Sequence, residues 1–236
     1  MTFKNETEFR QWNESMAEKY DPEAYHERSH FIIRWIAQQR VRSILQLLNM
    51  KPNDMVLEVG CGTGNVIEKI PSHFLYGIDL STLLLKKAMY RFADNSISLA
   101  QGNAEKLPFT GQSFDKIVCT EVIEHVINPK QILHEIARLA MPHAVIVVTI
   151  PNEKLIIQVK QVLRNIGLFD WLLKGNGDSY NAHDDTINEW HLHNFDLNLL
   201  KEITPTTLQI QQIRAIPWGG LPLQYVVGFQ RRLEKG

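Results

Sequence analysis

Three glycines at alternate positions close the run Val56-Leu57-Glu58-Val59-Gly60-Cys61-Gly62-Thr63-Gly64. They join an apolar, strand-like stretch to a backbone that tolerates positive φ and lacks the Cβ atoms that would keep a ligand away. Such a loop offers its main chain to a nucleotide-like cofactor. The spacing is Gly-x-Gly-x-Gly, whereas Gly-x-Gly-x-x-Gly seats a dinucleotide pyrophosphate on a helix N-terminus. The tighter loop suits an uncharged or amino-acid-bearing nucleoside and disfavours nicotinamide oxidoreduction. About twenty residues further on, Tyr76-Gly77-Ile78-Asp79-Leu80 ends an apolar strand in an acid able to accept both ribose hydroxyls. The competing use of Asp79 is to cap a helix starting at Thr82. A polar patch, Gln101 to Phe109, follows the third strand and opens toward the same sheet edge, where it could read an adenine.

A second constellation is Glu121-Val122-Ile123-Glu124-His125. On a helical turn the two acids and the histidine, at i, i+3 and i+4, share one face just past the fourth strand. One use is chemical: His125 as a general base near its working pH, or Glu121, Glu124 and His125 around a hard divalent ion that acidifies a hydroxyl. The other is structural, with Glu121 supporting the cofactor loop and His125 packed beside the sheet.

The elements that must position these groups alternate. Glu8 to Tyr20 and Phe31 to Leu48 read as amphipathic helices interrupted at Asp21-Pro22. Strands follow at Met55–Val59, Phe74–Ile78, Ile97–Ala100, Phe114–Cys119 and Ala144–Ile150, with helices at Asn65–Ile70, Thr82–Phe92 and Pro129–Leu139 between them. The pattern predicts an α/β fold with a mostly parallel, Rossmann-like sheet covered on both faces. Beyond Pro151-Asn152, Glu153–Gly167 reads as a helix. Asp170–Phe195, with Trp171, Trp190, three histidines and Gly175-Asn176-Gly177, reads as a cover over a site. Asp196 is placed to N-cap a short helix stapled by Phe195. Leu208–Ile216 and Tyr225–Arg232 then form a closing hairpin around the connection Pro217–Pro222.

Length and composition bound the rest. At 236 residues the chain holds one sizeable core. The expected divisions are an N-terminal helical cap over 1–50, a cofactor-binding core over 51–151, an acceptor-side insertion over 152–195, and a C-terminal helix and hairpin over 196–236. Apolar residues at 44% and charged residues at 22% are globular values. The longest apolar run is too short to cross a bilayer, and the N-terminus lacks a signal-peptide core, so no membrane insertion and a cytoplasmic location are expected. A net charge of -1 disfavours extended nucleic acid as a partner. Cys61 and Cys119 are too few for a disulfide framework and read as small buried side chains.

These blocks, together with Ser113 to Cys119, resemble the class I S-adenosylmethionine-dependent methyltransferases in order and spacing over roughly Val56 to Pro151. The resemblance implies a seven-stranded sheet whose last strand is antiparallel, and S-adenosyl-L-methionine as cofactor. It further implies that Glu58, Gly60, Cys61, Gly62, Thr63 and Gly64 wrap the methionine end, with Asp79 on the ribose and Leu80 on the adenine face. Asn103 and Ala104, with Glu105, lie at the adenine edge, and Thr120 and Glu121 at the tip of the fourth strand. Glu-x-x-Glu-His also looks like the segment of the ubiquinone-pathway O-methyltransferases, which implies magnesium on Glu121, Glu124 and His125. It is similar, too, to the small-RNA 3′-terminal 2′-O-methyltransferases, where His191 or His193 would be a fourth ligand; the charge balance argues against RNA. The expected activity is methyl transfer to a small-molecule acceptor at oxygen, with Glu124 and His125 as catalytic residues. The rivals are carbon methylation of a quinone-type ring and a cofactor-binding relative without catalysis. Arg34 or Arg40 could reach the methionine carboxylate, with a solvated surface place as the alternative.

Overall fold

The computed structural model describes residues 3–20, 30–93, 97–169 and 189–232. Its sheet has seven strands: β1 (Met55–Val59), β2 (Phe74–Asp79), β3 (Ser98–Gln101), β4 (Phe114–Cys119), β5 (Ala140–Pro151), β6 (Leu208–Trp218) and β7 (Leu221–Arg231). They run in the order β3-β2-β1-β4-β5-β7-β6. All pairings from β3 to β5 are parallel, and β7 is antiparallel to both β5 and β6. The predicted α/β class and antiparallel last strand are therefore observed. The chain winds outward from β1 in both directions, so β1 and β4 leave their loops on diverging sides, and a crevice opens at their carboxyl ends.

Helices α1 (Glu6–Lys19), α2 (Phe31–Leu48), α3 (Thr82–Arg91), α4 (Pro129–Leu139), α5 (Glu153–Asn165) and α6 (Leu197–Ile203) surround the sheet. Alternation along β1 sorts the two cores. Val56 joins a cluster with Ile44 and Leu48 of α2 and Ala88 of α3, while Leu57 and Val59 join the larger cluster with Ile132, Leu133 and Ile136 of α4 and Leu200 of α6. The α4 sequence explains its helix: Asn128 caps by accepting from the Gln131 amide, Pro129 occupies the first turn, and buried apolar residues recur at helical spacing. Asp196 caps α6 through the Asn198 and Leu199 amides, and Phe195 and Leu200 are both fully buried, as the staple requires.

Three boundaries depart from expectation. The helix predicted over 65–70 is a single 3-10 turn, Ile67–Lys69, because Pro71 forces Ile70 out of helical geometry to φ -85, ψ 118. β5 begins four residues early, at Ala140; Pro142 and the left-handed His143 hide that lead-in from pattern reading, and the register against β4 shifts there. The six-residue connection predicted at Pro217–Pro222 is a two-residue turn at Gly219-Gly220, with Trp218 paired to Leu221 and Pro217 to Pro222. β6 lies at the sheet edge, where a proline removes no inner hydrogen bond. Both cysteines are buried and free, as expected. Among the described residues no helix is long and apolar enough to cross a membrane.

Candidate functional site

The glycine loop is assembled by backbone bonds from its neighbour strand. The Gly60 and Cys61 amides donate to the Ile78 carbonyl at 2.7 and 3.0 Å, and the Gly62 amide donates to Asp79 Oδ2 at 2.7 Å. All three glycines have positive φ, but for different reasons. A Cβ on Gly60 would lie 2.1 Å from Val122, and one on Gly64 would lie 2.3 Å from Phe92. At Gly62 the nearest atom would be 3.9 Å away. Gly60 and Gly64 are thus required by packing as well as by torsion, while at Gly62 a Cβ would make only an ordinary contact with Leu84.

Asp79 is spent partly on the scaffold. Its Oδ1 accepts from the Ser81 amide at 2.8 Å and its Oδ2 from Gly62, which leaves further lone pairs on both oxygens. Burial raises its pKa against the opposing pull of those amides. It does not cap α3; Ser81 does, accepting from the Leu84 amide. In the loop after β3, Gln101 Nε2 donates to the Leu80 carbonyl, Asn103 Oδ1 accepts from the Glu105 amide, and Glu105 Oε1 accepts from the Ile127 amide. Leu80, Asn103 and Ala104 remain half-exposed at the crevice.

Several residues that the resemblance places at the cofactor also hold the loop from beneath. Glu58 is 1% exposed and accepts from the Ile67 amide at 2.9 Å and, more loosely, from Thr120 Oγ1 at 3.5 Å. Burial pushes its pKa up to about 8. Cys61, Thr63 and Thr120 are also buried, so only the backbone at 61 and 63 is left to meet a ligand. Glu58 and Thr120, which the resemblance places at the cofactor, keep their side chains buried beneath the loop.

The acid-acid-histidine segment also departs from its predicted form. Glu121 is left-handed, φ 54, with its amide donating to Thr149 Oγ1, and this conformation breaks the helical turn before it starts. Its carboxylate turns to α2 and β7, pairing with Arg40 and accepting from Gln224 Nε2. Arg40 is buried in this contact and not solvated, while Arg34 is exposed. The group that does converge is Glu124, His125 and His191, whose ligand-capable atoms lie within 4.8 Å of one another. His193 points elsewhere, toward the Val126 and Ile127 carbonyls.

The protonation pattern of this group follows from its partners. His125 Nδ1 lies 3.2 Å from the Trp190 carbonyl, an acceptor only, so Nδ1 carries the proton and Nε2 its lone pair. Burial, reinforced by the neighbouring His191, pushes His125 down to about 3, which corrects the expectation of a base titrating near neutral pH. His191 Nδ1 is held at 2.8 Å by Glu153 Oε1. Burial would lower its pKa, but the bond to Glu153 and the charge of Glu124 outweigh burial and raise it. Burial pushes Glu124 up to about 7, and its Oε2 has no hydrogen-bond partner. Two imidazoles and one carboxylate suit a borderline divalent ion; magnesium, which wants an oxygen shell, is poorly matched by this set. Glu153 is a site residue that sequence reading missed. Its signal was an acid just past Pro151-Asn152, at the carboxyl end of an inner strand.

Helix α1 closes the crevice from above and touches both sides. Glu14 accepts from Thr82 Oγ1 and the Leu83 amide at the N-terminus of α3, where a carboxylate also meets the helix dipole. Toward the acceptor side, Asn13 accepts from Trp190 Nε1, Tyr20 donates to Glu189, and the Tyr20 and Trp190 rings stack with centroids 5.9 Å apart. Tyr20 is buried and Trp12 stacks on Phe9, in keeping with packing roles. Tyr25, His26 and Trp171, and the cover predicted around Gly175-Asn176-Gly177, lie outside the described residues.

A glycine loop after β1, an acid at the end of β2 and a polar loop after β3, on successive ends of a seven-stranded sheet with an antiparallel seventh strand, are the arrangement of a class I S-adenosylmethionine-dependent methyltransferase domain. Residues 57–148 match the family described as methyltransferase domain. It is 26% identical over 156 residues to a ubiquinone biosynthesis O-methyltransferase of Coxiella burnetii, covering 64% of this chain and 66% of that one. The matched stretches span between 45% and 66% of the length of such curated relatives. The fold is that of a chain from the complex between the Haloferax volcanii Trm112 methyltransferase activator and its methyltransferase (TM-score 0.65, 14% identity, 98% of this chain and 100% of that one). It is also that of the N-methyltransferase NodS of Bradyrhizobium japonicum, solved with S-adenosyl-L-homocysteine (TM-score 0.60, 16% identity, 84% and 88%).

Proposed function

We propose that the protein transfers a methyl group from S-adenosyl-L-methionine to a hydroxyl of a small-molecule acceptor. The observation that carries the reading is the placement of Glu124, His125 and His191 on the loop side of β4, beside the cofactor loop that Val122 touches at Gly60. The bound cofactor supplies a methyl group already made electrophilic by its sulfonium. The chain therefore has to hold, orient and take up a proton. In this reading the Gly62 backbone and Asp79 grip the cofactor, Leu80, Asn103 and Ala104 border its base, and α1 excludes water from above. Nε2 of His191, its ring fixed by Glu153, accepts the acceptor's proton; His125, neutral and buried, and Glu124 orient the hydroxyl. Residues 1–50 serve as cap and 152–195 as acceptor cover. Two free, unpaired cysteines support a reducing, cytoplasmic setting.

A second reading is favoured by the donor set itself. Glu124, His125 and His191 would hold a divalent ion softer than magnesium, which would supply Lewis acidity to the acceptor hydroxyl. Calorimetry with S-adenosyl-L-methionine tests the donor assignment: binding is expected, weakened at least tenfold in Asp79→Ala, and no binding to the wild-type chain ends the proposal. Release of S-adenosyl-L-homocysteine from a panel of phenolic, quinone-precursor and short RNA acceptors tests the acceptor class. A chelator separates the two readings, since activity lost to it and restored by zinc or manganese requires the ion.

A further inference from the structure

The two histidines of the acceptor side are held in the same way. His125 turns Nδ1 to the Trp190 carbonyl at 3.2 Å, and His191 turns Nδ1 to Glu153 Oε1 at 2.8 Å. A neutral ring whose Nδ1–H is engaged keeps its lone pair on Nε2, the nitrogen left to hold an ion. Glu124 adds an oxygen, Oε2, that is buried and has no hydrogen-bond partner. The ligand-capable atoms of the three residues lie within 4.8 Å of one another. Glu121, the further acid of the sequence pattern, is committed elsewhere, to Arg40 and Gln224.

Glu153 stands behind the His191 ring, on the nitrogen an ion would not use. Its place is fixed by the main chain. It is the first residue of α5, its amide donates to the Phe195 carbonyl at 3.4 Å, and the preceding Asn152 is tied to the Leu223 and Pro222 carbonyls of β7. At 1% exposure, water does not replace it. A carboxylate in this position aims the ring, and its charge makes the far nitrogen a stronger electron donor. We infer that Glu153 is the positioning residue of a divalent-ion centre built from Glu124, His125 and His191, and that its charge sets how tightly the ion is held. The inference rests on the second reading above, in which that group binds an ion. Two imidazoles and a carboxylate are a donor set that suits zinc or cobalt.

The test is zinc titration of the chelator-dialysed full chain against a competing chromophoric chelator, repeated with cobalt for its visible bands. The wild type should bind a single ion. Glu153→Gln keeps a hydrogen-bond acceptor behind His191 and removes the charge; it should hold the ion about ten- to a hundredfold more weakly and shift the cobalt bands. Glu121→Gln should match the wild type. If Glu153 only fastens the segment before α6, Glu153→Gln lowers Tm and leaves ion affinity and bands where they were, which overturns the proposal. An equal loss of affinity in Glu121→Gln overturns it as well, because the ion then follows the sequence pattern. A wild type that binds S-adenosyl-L-methionine but no ion ends the ion reading itself, an outcome distinct from an ion held equally by wild type and Glu153→Gln. Proton–nitrogen NMR of the wild-type histidines with zinc needs no variant: His191 should carry the ion on Nε2 and a proton on Nδ1, and an ion on Nδ1 overturns the assignment because it displaces Glu153.

Discussion

The two sides of the crevice are built differently. On the cofactor side, β1, β2 and β3 end in loops fixed by main-chain amides: Gly60 and Cys61 on Ile78, Gly62 and Ser81 on Asp79, Gly102 on the Asp79 carbonyl. On the acceptor side, side chains from distant segments meet: Arg40 with Glu121 and Gln224, Glu153 with His191, His125 with Trp190. Each side also buries an acid whose pKa is raised, but Glu58 has partners for both oxygens while Glu124 Oε2 has none. A satisfied buried acid is scaffold, whereas one left with an open oxygen is waiting for a donor.

The sharpest test of the scaffold side is Glu58. Its folded pKa of about 8 stands above the ordinary carboxylate value, so the folded protein holds the proton more tightly than the unfolded chain. Its contribution is complete below the unfolded pKa and is lost as pH rises through about 8, on the order of 4 kcal/mol in full. Chemical denaturation between about pH 5 and 9, roughly the span of that titration, should show falling stability in the wild type and a flattened profile in Glu58→Gln. An unaltered slope would mean that Glu58 is not the scaffold's titrating group. Next in size, Gly60→Ala drives a methyl group into Val122 at positive φ and should cost about 3 kcal/mol, read as Tm. Gly62→Ala should cost only about 1 kcal/mol and lose proportionally more cofactor affinity in calorimetry. If the two exchanged behaviour, the division between packing and ligand glycines would fail.

On the other side, Arg40→Met leaves Glu121 without its buried cation and should cost about 2 kcal/mol, measured by urea unfolding, with cofactor affinity kept. A loss of affinity instead would move Arg40 to the cofactor half. The smallest effect expected is that of Glu14→Ala. Removing an anion from the start of α3 should cost about 1 kcal/mol by calorimetric melting, and it should loosen α1 enough to quicken proteolysis there.

The same contrast explains what could be read from sequence. The strands β1 and β4 and the helices α2 and α4 appear within the predicted bounds because apolar period, caps and breakers are local signals. Gly60 to Gly64, Asp79 and Asn103 could be placed for the same reason, since each lies at or just past the end of a strand. The acceptor side is not. Nothing near Glu121 announces its left-handed turn, which sends one of three predicted partners away, and Arg40 finds Gln224 across 184 residues. Likewise, His191 could be named from its type, but its carboxylate Glu153 could not be, because that pairing exists only once β5 and the segment before α6 have met.

Helix α1 rests on the start of α3 through Glu14 and on Trp190 and Glu189 through Asn13 and Tyr20. One rigid rod with a foot on each bank cannot lift from one without tilting off the other. If the crevice works as proposed, an opening at the start of α3 and an opening at Trp190 would be one event, so donor and acceptor would be exchanged together.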